Sequence, residues 1–261
     1  MPIAHFNDID CHYIFDNYGH ADTLIFSNSL GTDHTMWEPQ KQFLGKYFNI
    51  LRYDTRGHGK SSTGDKKEYS VSDLGEDVIA LLDHLKLDKV YFCGLSMGGQ
   101  IGQWLAIYAA YRFKKIIIAN TAAVIGTQDG WNQRIKLILS EGLNSITEGT
   151  ATRWFTESFR ENHPEKVEQI LKIFVSNDPK GYAACCAMVR DAFFPKNLSE
   201  IDIPVLIISG KQDAVTTVTD GEFMQKHISG SSHVSIDAAH LSNFECPEEF
   251  SKHVLNFIES D

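Results

Sequence analysis

Residues 94–99 (GLSMGG) place a serine at the spacing of a reactive nucleophile. This G-x-S-x-G pattern follows the apolar run 90–93 and precedes a helical segment that begins near Gln100. In a strand–turn–helix of this kind, the sharp turn exposes the serine hydroxyl at the helix N-terminus, where free N–H groups favour a developing negative charge. The flanking glycines let the strand and the helix approach closely. The pattern predicts that Ser96 is the nucleophile of a serine hydrolase.

A serine hydroxyl becomes a good nucleophile when a histidine accepts its proton and an acid orients that histidine. With this kind of turn, the acid and then the histidine follow the serine along the chain. The buried run 204–210 ends just before Asp213, which is the predicted acid. Asn120 stands at the preceding strand end, where some hydrolases carry the acid. His240 lies between the last predicted strand and the closing helix, and we expect it to be the base.

Acyl transfer also needs two backbone N–H groups aimed at the substrate carbonyl oxygen. The first is expected from Met97, the residue after the nucleophile. The second is expected from Leu30, in the loop that follows the early strand, with Gly31 permitting a tight turn. Because both contributions come from the main chain, replacing the Leu30 side chain should have little effect.

The elements that must position these residues alternate between strands and helices. Apolar or alternating runs predict strands at about 10–16, 23–28, 47–53, 89–94, 114–119, 204–209 and 232–236. One helix is predicted to begin after Ser70, which is spaced as an N-cap with Asp73, and another spans 247–258. This alternation indicates an α/β fold with a mostly parallel, doubly wound sheet, whose site lies at the carboxyl ends of the strands.

The alternation breaks between residues 122 and 196, where the pattern is helical and poor in strands. Core-like strands flank this stretch. We therefore expect residues 1–121 and 197–261 to form the core domain, with 122–196 inserted as a helical cap. A cap shields the site from water and supplies residues that select the substrate. The alternative is that these helices pack at the side of the sheet.

The composition of the chain limits which classes of binding partner and which cellular compartments are expected. The 261 residues, 43% of them hydrophobic, suit one large α/β domain or a core domain with an insertion. The formal charge of −10 disfavours nucleic acid and anionic membranes, because binding to both depends on Lys and Arg. No run reaches the roughly 18 apolar residues of a membrane span, and the N-terminal residues lack a signal-peptide pattern. Five cysteines without framework spacing indicate a reducing, cytoplasmic setting.

Two further segments have competing interpretations. Residues 54–61 (DTRGHGKS) combine glycines and cations, as phosphate-binding loops do, but they lack the spacing of a P-loop. A turn held by an Asp–Arg contact is the favoured interpretation. Cys185 and Cys186 are adjacent, but vicinal disulfides are strained, so buried thiols are expected there.

The assembled residues resemble the α/β-hydrolase fold over essentially the whole chain, and more closely the 3-oxoadipate enol-lactonases of aromatic catabolism. The resemblance rests on segments 27–37, 54–59 and 94–99, and on Trp131, Arg134, Arg153-Trp154-Phe155 and Gly181-Tyr182. Two departures are Thr216-Thr217, where such families often have a proline, and residues 191–194, which carry aromatics where an acid is expected.

The resemblance implies hydrolysis of 3-oxoadipate enol-lactone to 3-oxoadipate by Ser96, His240 and Asp213, with no cofactor and no metal. The carboxylate of this small-molecule substrate calls for a hydrogen-bond donor in an otherwise apolar pocket. Trp131 is a candidate wall, and Arg134, on the same helical face, is a candidate anchor. The ordinary alternatives are a packed indole and a solvated arginine.

The same triad is compatible with a carboxylesterase or a carbon–carbon bond hydrolase, because selectivity depends on the cap. A dehalogenase or epoxide hydrolase is disfavoured, because those enzymes resemble this fold but use aspartate where Ser96 stands. A hydrolase-fold receptor that retains a slow triad is a further alternative, which a turnover rate would distinguish. The sequence does not indicate an oligomeric state.

Overall fold

The computed structural model of the protein describes residues 2–260, and a single sheet of eight strands runs through them. In chain order the strands are β1 (Ile3–Phe6), β2 (Ile9–Asp16), β3 (Thr23–Ser27), β4 (Asn49–Tyr53), β5 (Val90–Leu95), β6 (Phe113–Ala119), β7 (Val205–Gly210) and β8 (Ser232–Ile236). Their order across the sheet is β1-β2-β4-β3-β5-β6-β7-β8. The pairs β1–β2 and β2–β4 are antiparallel and all other pairs are parallel, which confirms the predicted α/β class.

Eleven α-helices lie within the described residues. They are α1 (Glu38–Leu44), α2 (Val71–His84), α3 (Met97–Tyr108), α4 (Gln128–Glu141), α5 (Thr147–Trp154), α6 (Glu157–Asn162), α7 (Pro164–Ser176), α8 (Pro179–Asp191), α9 (Val218–His227), α10 (Ser242–Glu245) and α11 (Pro247–Glu259). None of the helices found in residues 2–260 combines the length and the apolar character that crossing a membrane requires.

The helices cover both faces of the sheet. Phe26 of β3 stands opposite Cys93 of β5 in the parallel register, so these two side chains point to the same face and Phe92 points to the other. Helix α3 packs against Phe92 and also contacts α2. On the opposite face Phe26 stacks on Trp37 at 4.6 Å, and Trp37 contacts Phe250 of α11. The sheet is therefore enclosed on both sides, as a doubly wound fold requires.

The predicted start of α2 is confirmed in detail. The Ser70 hydroxyl accepts a hydrogen bond from the Asp73 N–H, and the Asp73 carboxylate accepts one from the Ser70 N–H. This reciprocal capping box satisfies two N–H groups that the helix itself leaves free. The buried face of α2 then carries Leu74, Val78, Leu81 and Leu82.

Strand β1 and the short helices α1 and α10 were not predicted. Strand β1 has four residues, and within it only Ala4 is fully buried, so its sequence shows no clear alternation. It is held by pairing with β2 through residues 9–12. Strand β1 therefore depends on a neighbour in the sheet more than on its own pattern.

Helices α4 to α8 lie between β6 and β7, and no strand interrupts this stretch of the described chain. Helix α4 packs against α8. The segment 122–196 is thus helical, as expected, and we call it the inserted segment. Cys185 and Cys186 of α8 are buried free thiols, which confirms the prediction made for them.

Candidate active site

Ser96 occupies the sharp turn between β5 and α3. Its backbone has φ 58° and ψ −112°, a conformation that L-residues rarely adopt. A Cβ on Gly94 would lie 2.1 Å from the Gly98 carbonyl oxygen, and one on Gly98 would lie 2.3 Å from the Ser27 carbonyl oxygen. Both positions therefore require glycine, and the strained turn predicted from G-x-S-x-G is present.

The three predicted triad residues meet at the carboxyl ends of the strands. His240, in the loop after β8, has its Nε2 2.9 Å from the Ser96 Oγ. Its Nδ1 lies 2.8 Å from Oδ2 of Asp213, in the loop after β7. With the proton on Nδ1, His240 donates to Asp213 and accepts from the serine hydroxyl, so Ser96 can lose its proton to the ring. All three side chains are buried, with 2% to 7% of each residue exposed.

The carboxylate of Asp213 receives hydrogen bonds from four groups besides His240. Asn120 Nδ2 donates at 3.0 Å and the Thr216 hydroxyl at 2.8 Å, while the N–H groups of Val215 and Thr216 donate to Oδ1 at 2.8 and 3.1 Å. Burial alone would raise the pKa of Asp213, but the charge and hydrogen bond of His240, together with Asn120 and Thr216, lower it to about 2. The acid is thus held ionised facing the imidazole.

Asn120 also connects the loops that hold the acid and the base. Its Nδ2 lies 3.2 Å from the carbonyl oxygen of Ala239, directly before His240. Its Oδ1 accepts a hydrogen bond from Ser242 Oγ at 2.5 Å. The sequence had marked this position only as a strand end without an acid, and its polar side chain there was the available signal. Asn120 and Thr216 are the site residues near Asp213 that the sequence analysis missed.

The two candidate oxyanion donors lie in neighbouring segments. Within residues 2–260 no acceptor engages the N–H of Leu30 or of Met97. The N–H of Gly98 donates to the carbonyl oxygen of Asn28 at 3.0 Å, which joins the start of α3 to the loop that carries Leu30. Gly31 has φ 87°, so the tight turn that the sequence predicted is present.

The loop after β4 holds the loop that carries Leu30 in place. The N–H of Gly31 donates to Nε2 of His58 at 2.9 Å, so that nitrogen must be unprotonated. Burial lowers the pKa of His58 to about 4, which keeps the ring neutral near neutral pH. Asn177 of the inserted segment also donates from Nδ2 to the Gly31 carbonyl oxygen at 3.0 Å. The turn beside Leu30 is therefore fixed from both the core and the inserted segment.

The Asp–Arg contact predicted within residues 54–61 is not formed there. Arg56 pairs with Asp77 of α2, with N–O distances of 2.6 and 2.7 Å. Asp54 instead accepts hydrogen bonds from Nδ1 of His12 and of His34, at 2.8 and 2.7 Å. His12, His34 and Asp54 have the donor types of a metal site, but these hydrogen bonds already join them to one another.

A cavity opens above Ser96 between the core and the inserted segment. The residues that line it are Ser29, Leu30, Ser96, Ile125, Trp131, Arg134, Arg153, Trp154, Tyr182, Val189, Val215 and His240. Most of these side chains are apolar or aromatic, and two of the three predicted triad residues, Ser96 and His240, are among them. The cavity includes both candidate substrate residues of the sequence analysis, Trp131 and Arg134.

Two arginines give the cavity positive charge. Arg134 donates from Nε and Nη2 to the hydroxyl of Tyr182, at 2.9 and 2.6 Å, and its guanidinium lies 5.8 Å from the Trp131 ring centre. Arg153 donates only to Thr150 Oγ1, at 3.2 Å. Burial and the charge of Arg134 lower the pKa of Arg153. Neither arginine forms an ion pair with a carboxylate of the described chain, so the cavity is suited to an anionic ligand.

Arg153 was not singled out as a binding residue, although it belongs to a segment on which the resemblance rested. Within residues 2–260 its neighbour Trp154 donates no side-chain hydrogen bond, and its ring packs edge-on against Phe174 at 5.5 Å. Trp131 donates from its indole N–H to the carbonyl oxygen of Ile125 at 2.6 Å, which fixes it as a wall of the cavity.

Comparison with known proteins identifies the family of this chain and several relatives with similar sequences. A family model described as alpha/beta hydrolase fold matches residues 22–247. The chain is 47% identical over 258 residues to 3-oxoadipate enol-lactonase 2 of Acinetobacter baylyi, covering 96% of each chain. It is 44% identical to 3-oxoadipate enol-lactonase 1 of the same organism, covering 92% of this chain and 90% of that one.

A similar structure has also been solved by crystallography. The enol-lactonase from Burkholderia xenovorans LB400 is 39% identical to this chain and superimposes with a TM-score of 0.97 over 99% of this chain and all of that one. A hydrolase from Pseudomonas aeruginosa superimposes with a TM-score of 0.95 at 36% identity, over 99% and 98% of the two chains.

Proposed function

We propose that this chain, which belongs to the α/β hydrolase fold family and within it to the 3-oxoadipate enol-lactonases, hydrolyses 3-oxoadipate enol-lactone to 3-oxoadipate in aromatic catabolism. The observation that carries this proposal is that Ser96 lines the same cavity as two arginines, neither of which has a carboxylate partner in residues 2–260. The serine supplies ester-bond chemistry, and the arginines suit a lactone that carries a free carboxylate. The names of the similar proteins support the same substrate.

Ser96 performs the ring opening in this proposal. Its Oγ forms a bond to the lactone carbonyl carbon while His240 Nε2 accepts the hydroxyl proton. The carbonyl oxygen becomes an oxyanion, which the N–H groups of Leu30 and Met97 stabilise. Asp213 keeps the Nδ1 proton on the imidazole and stabilises its positive charge.

The bond between the carbonyl carbon and the ring oxygen then breaks. The leaving group is an enol, which receives the proton from His240 and tautomerises to the ketone. It stays tethered to the acyl group on Ser96, because the lactone is a ring. His240 next accepts a proton from water, whose oxygen attacks the acyl carbon. The bond between the acyl carbon and Ser96 Oγ then breaks, His240 returns the proton to Oγ, and 3-oxoadipate is released.

Arg153 and Arg134 bind the substrate carboxylate in this proposal. Two of the Arg134 N–H groups are directed to the Tyr182 hydroxyl, which fixes the guanidinium in place beside the cavity. Arg153 has one weak protein partner and is repelled by Arg134. A bound carboxylate relieves that repulsion, so the two cations favour an anionic substrate over a neutral ester. Trp131 forms the adjacent wall.

The inserted segment, residues 122–196, acts as a cap over the site. It contributes Trp131, Arg134 and Arg153 to the cavity, whereas the core contributes the triad. The core residues therefore carry out the reaction, and the cap residues determine which substrate binds. A cytoplasmic setting belongs to the same proposal and is supported by the free state of all five cysteines.

Identification of the product tests the proposed function. The purified protein is incubated with freshly generated 3-oxoadipate enol-lactone, and the product is identified by mass spectrometry against authentic 3-oxoadipate. The Ser96→Ala variant, which keeps the cavity, serves as the control. We expect rapid and complete conversion by the unaltered protein alone. Conversion at the rate of the control would contradict the proposal and favour a carboxylesterase or carbon–carbon bond hydrolase of the same fold.

A further inference from the structure

The loop that carries His240 is hydrogen-bonded directly to the segment that carries Arg153. The N–H of Leu241 donates to the carbonyl oxygen of Trp154 at 3.0 Å. His240 directly precedes Leu241, and Arg153 directly precedes Trp154. The base and the carboxylate-binding arginine are therefore each one residue away from the same backbone contact.

Glu245, the last residue of α10, adds three hydrogen bonds beside this contact. Its Oε1 accepts from the N–H groups of Thr156 and Ala239, both at 3.1 Å. Its Oε2 accepts from the hydroxyl of Thr156 at 2.8 Å. Thr156 lies two residues after Trp154, and Ala239 directly precedes His240. One carboxylate thus holds a chain segment of the cap and a chain segment of the core.

Within residues 2–260, the Ala239 N–H has Glu245 as its hydrogen-bond acceptor. Ala239 is buried, with 2% of its surface exposed, so its N–H would lose its acceptor without gaining full access to water. Hydrogen bonds to an ionised carboxylate are also shorter and stronger than those between neutral groups. Burial raises the pKa of Glu245, and its bonds to Thr156 and Ala239 act in the opposite direction. The ionised carboxylate is the form that accepts all three hydrogen bonds.

We propose that Glu245 is a positioning residue that couples the base His240 to the substrate-binding segment at Arg153. A shift of either segment would stretch bonds to the same carboxylate, so the base and the carboxylate-binding arginine keep a fixed separation. The part that concerns Arg153 rests on the proposed function. The part that concerns His240 requires only that Ser96 hydrolyses an ester.

Two substitutions at Glu245 test this role with two substrates, the enol-lactone and neutral p-nitrophenyl acetate. Glu245→Ala should lower kcat about tenfold or more for both substrates, because the base is misplaced. It should also raise KM for the lactone while leaving KM for the neutral ester within about twofold, because only the lactone uses Arg153. Glu245→Gln keeps an oxygen that can accept from both N–H groups, and it should recover most of the lost kcat.

Ser251→Ala is the matched control, because it removes a buried side-chain hydrogen bond, to the Pro247 carbonyl oxygen at 2.7 Å, in the adjacent helix α11. This variant should leave kcat and KM unchanged for both the lactone and the neutral ester. If Glu245→Ala does not fold, Thr156→Val removes the hydroxyl bond to Oε2 and should raise KM for the lactone alone. Rates are expressed per folded molecule, with the folded fraction taken from circular dichroism.

An ester kcat that Glu245→Ala leaves unchanged, or that Ser251→Ala lowers equally, would overturn the positioning role. A lactone KM that neither Glu245→Ala nor Thr156→Val raises would overturn the coupling to Arg153. Failure of the unaltered protein to hydrolyse the lactone would instead contradict the proposed function. In that case the ester kcat still tests the link to His240.

Discussion

Asn120 donates a hydrogen bond from Nδ2 to Oδ2 of Asp213 at 3.0 Å, across the ends of two adjacent parallel strands, β6 and β7. The same amide group lies 3.2 Å from the carbonyl oxygen next to His240. One buried side chain therefore contacts both loops that carry the partners of Ser96. The geometry of the triad depends on this residue as well as on its three members.

Replacing Asn120 by Ala should lower kcat for a neutral ester by roughly ten- to hundredfold, because hydrogen bonds to charged groups contribute about 1.5–3 kcal/mol. Asp213 would lose one donor, and the Ser242 hydroxyl would lose its acceptor. Steady-state kinetics of the purified variant measures this effect, with Ser251→Ala as the control for loss of a buried hydrogen bond. A kcat equal to that of the unaltered protein would show that the Asp213 loop holds its position without Asn120.

The strained backbone at Ser96 predicts a difference between two inactive variants. Ser96→Ala keeps a Cβ at φ 58°, whereas Ser96→Gly removes it and relieves the strain. Backbone strain of this kind costs on the order of 1–3 kcal/mol, partly offset by the chain entropy of glycine. We expect the glycine variant to be more stable than the alanine variant by about 1 kcal/mol in urea unfolding. Equal stability, or a less stable glycine variant, would argue against strain at this turn.

Removing the charge of either cavity arginine should affect only a substrate with a carboxylate. Arg153→Met and Arg134→Met should each raise KM for the enol-lactone roughly tenfold or more, since each removes charge-assisted hydrogen bonds. KM for p-nitrophenyl acetate should stay nearly constant. Arg190→Met is the matched control, because Arg190 of the inserted segment already pairs with Glu68 and Asp191. Equal changes in KM for both substrates would contradict a carboxylate-binding role for Arg134 and Arg153.

The pKa of Asp213 predicts a specific loss of stability in acid. Its value of about 2 in the folded protein lies below the ordinary 3.8, so the ionised acid stabilises the fold above about pH 4. That contribution, about 2 kcal/mol, disappears as the pH falls towards 2. The unfolding free energy of the unaltered protein should therefore fall by about 2 kcal/mol more than that of Asp213→Asn between about pH 5 and pH 2.

Denaturant unfolding at several pH values measures this difference. Glu161→Gln, at an exposed position, controls for the loss of one negative charge from the surface. If the unfolding free energies of the unaltered protein and of Asp213→Asn change with pH in the same way, the pKa of Asp213 is not lowered in the folded protein.

The triad could be predicted because its signals are local. Ser96 lies in a short pattern between a strand and a helix. Asp213 follows an apolar run and His240 follows the last predicted strand, in the expected chain order. The same reasoning found seven of the eight strands of the described residues, because apolar or alternating runs are the local signal of a strand. Strand β1 is the exception, since its four residues gain stability from β2 more than from their own pattern.

The remaining features depend on contacts between residues far apart in the chain. Asn120 gains its role only when the loops after β6, β7 and β8 meet. Arg153 becomes a cavity residue only because α4, α5 and α8 each contribute side chains to the same cavity. Arg56 was expected to pair within its own turn, but Asp77, on a helix 21 residues away, is its partner. Local patterns do not contain such information.

The most direct test of the central claim is the ratio of kcat/KM for 3-oxoadipate enol-lactone to kcat/KM for p-nitrophenyl acetate, measured for the unaltered protein and for Ser96→Ala. The account predicts a strong preference for the lactone, and it predicts that Ser96→Ala lowers both rates by several orders of magnitude, on the order of 10⁴-fold or more. Equal or better turnover of the neutral ester would contradict the assignment as an enol-lactonase, and full activity of Ser96→Ala would contradict the serine mechanism itself.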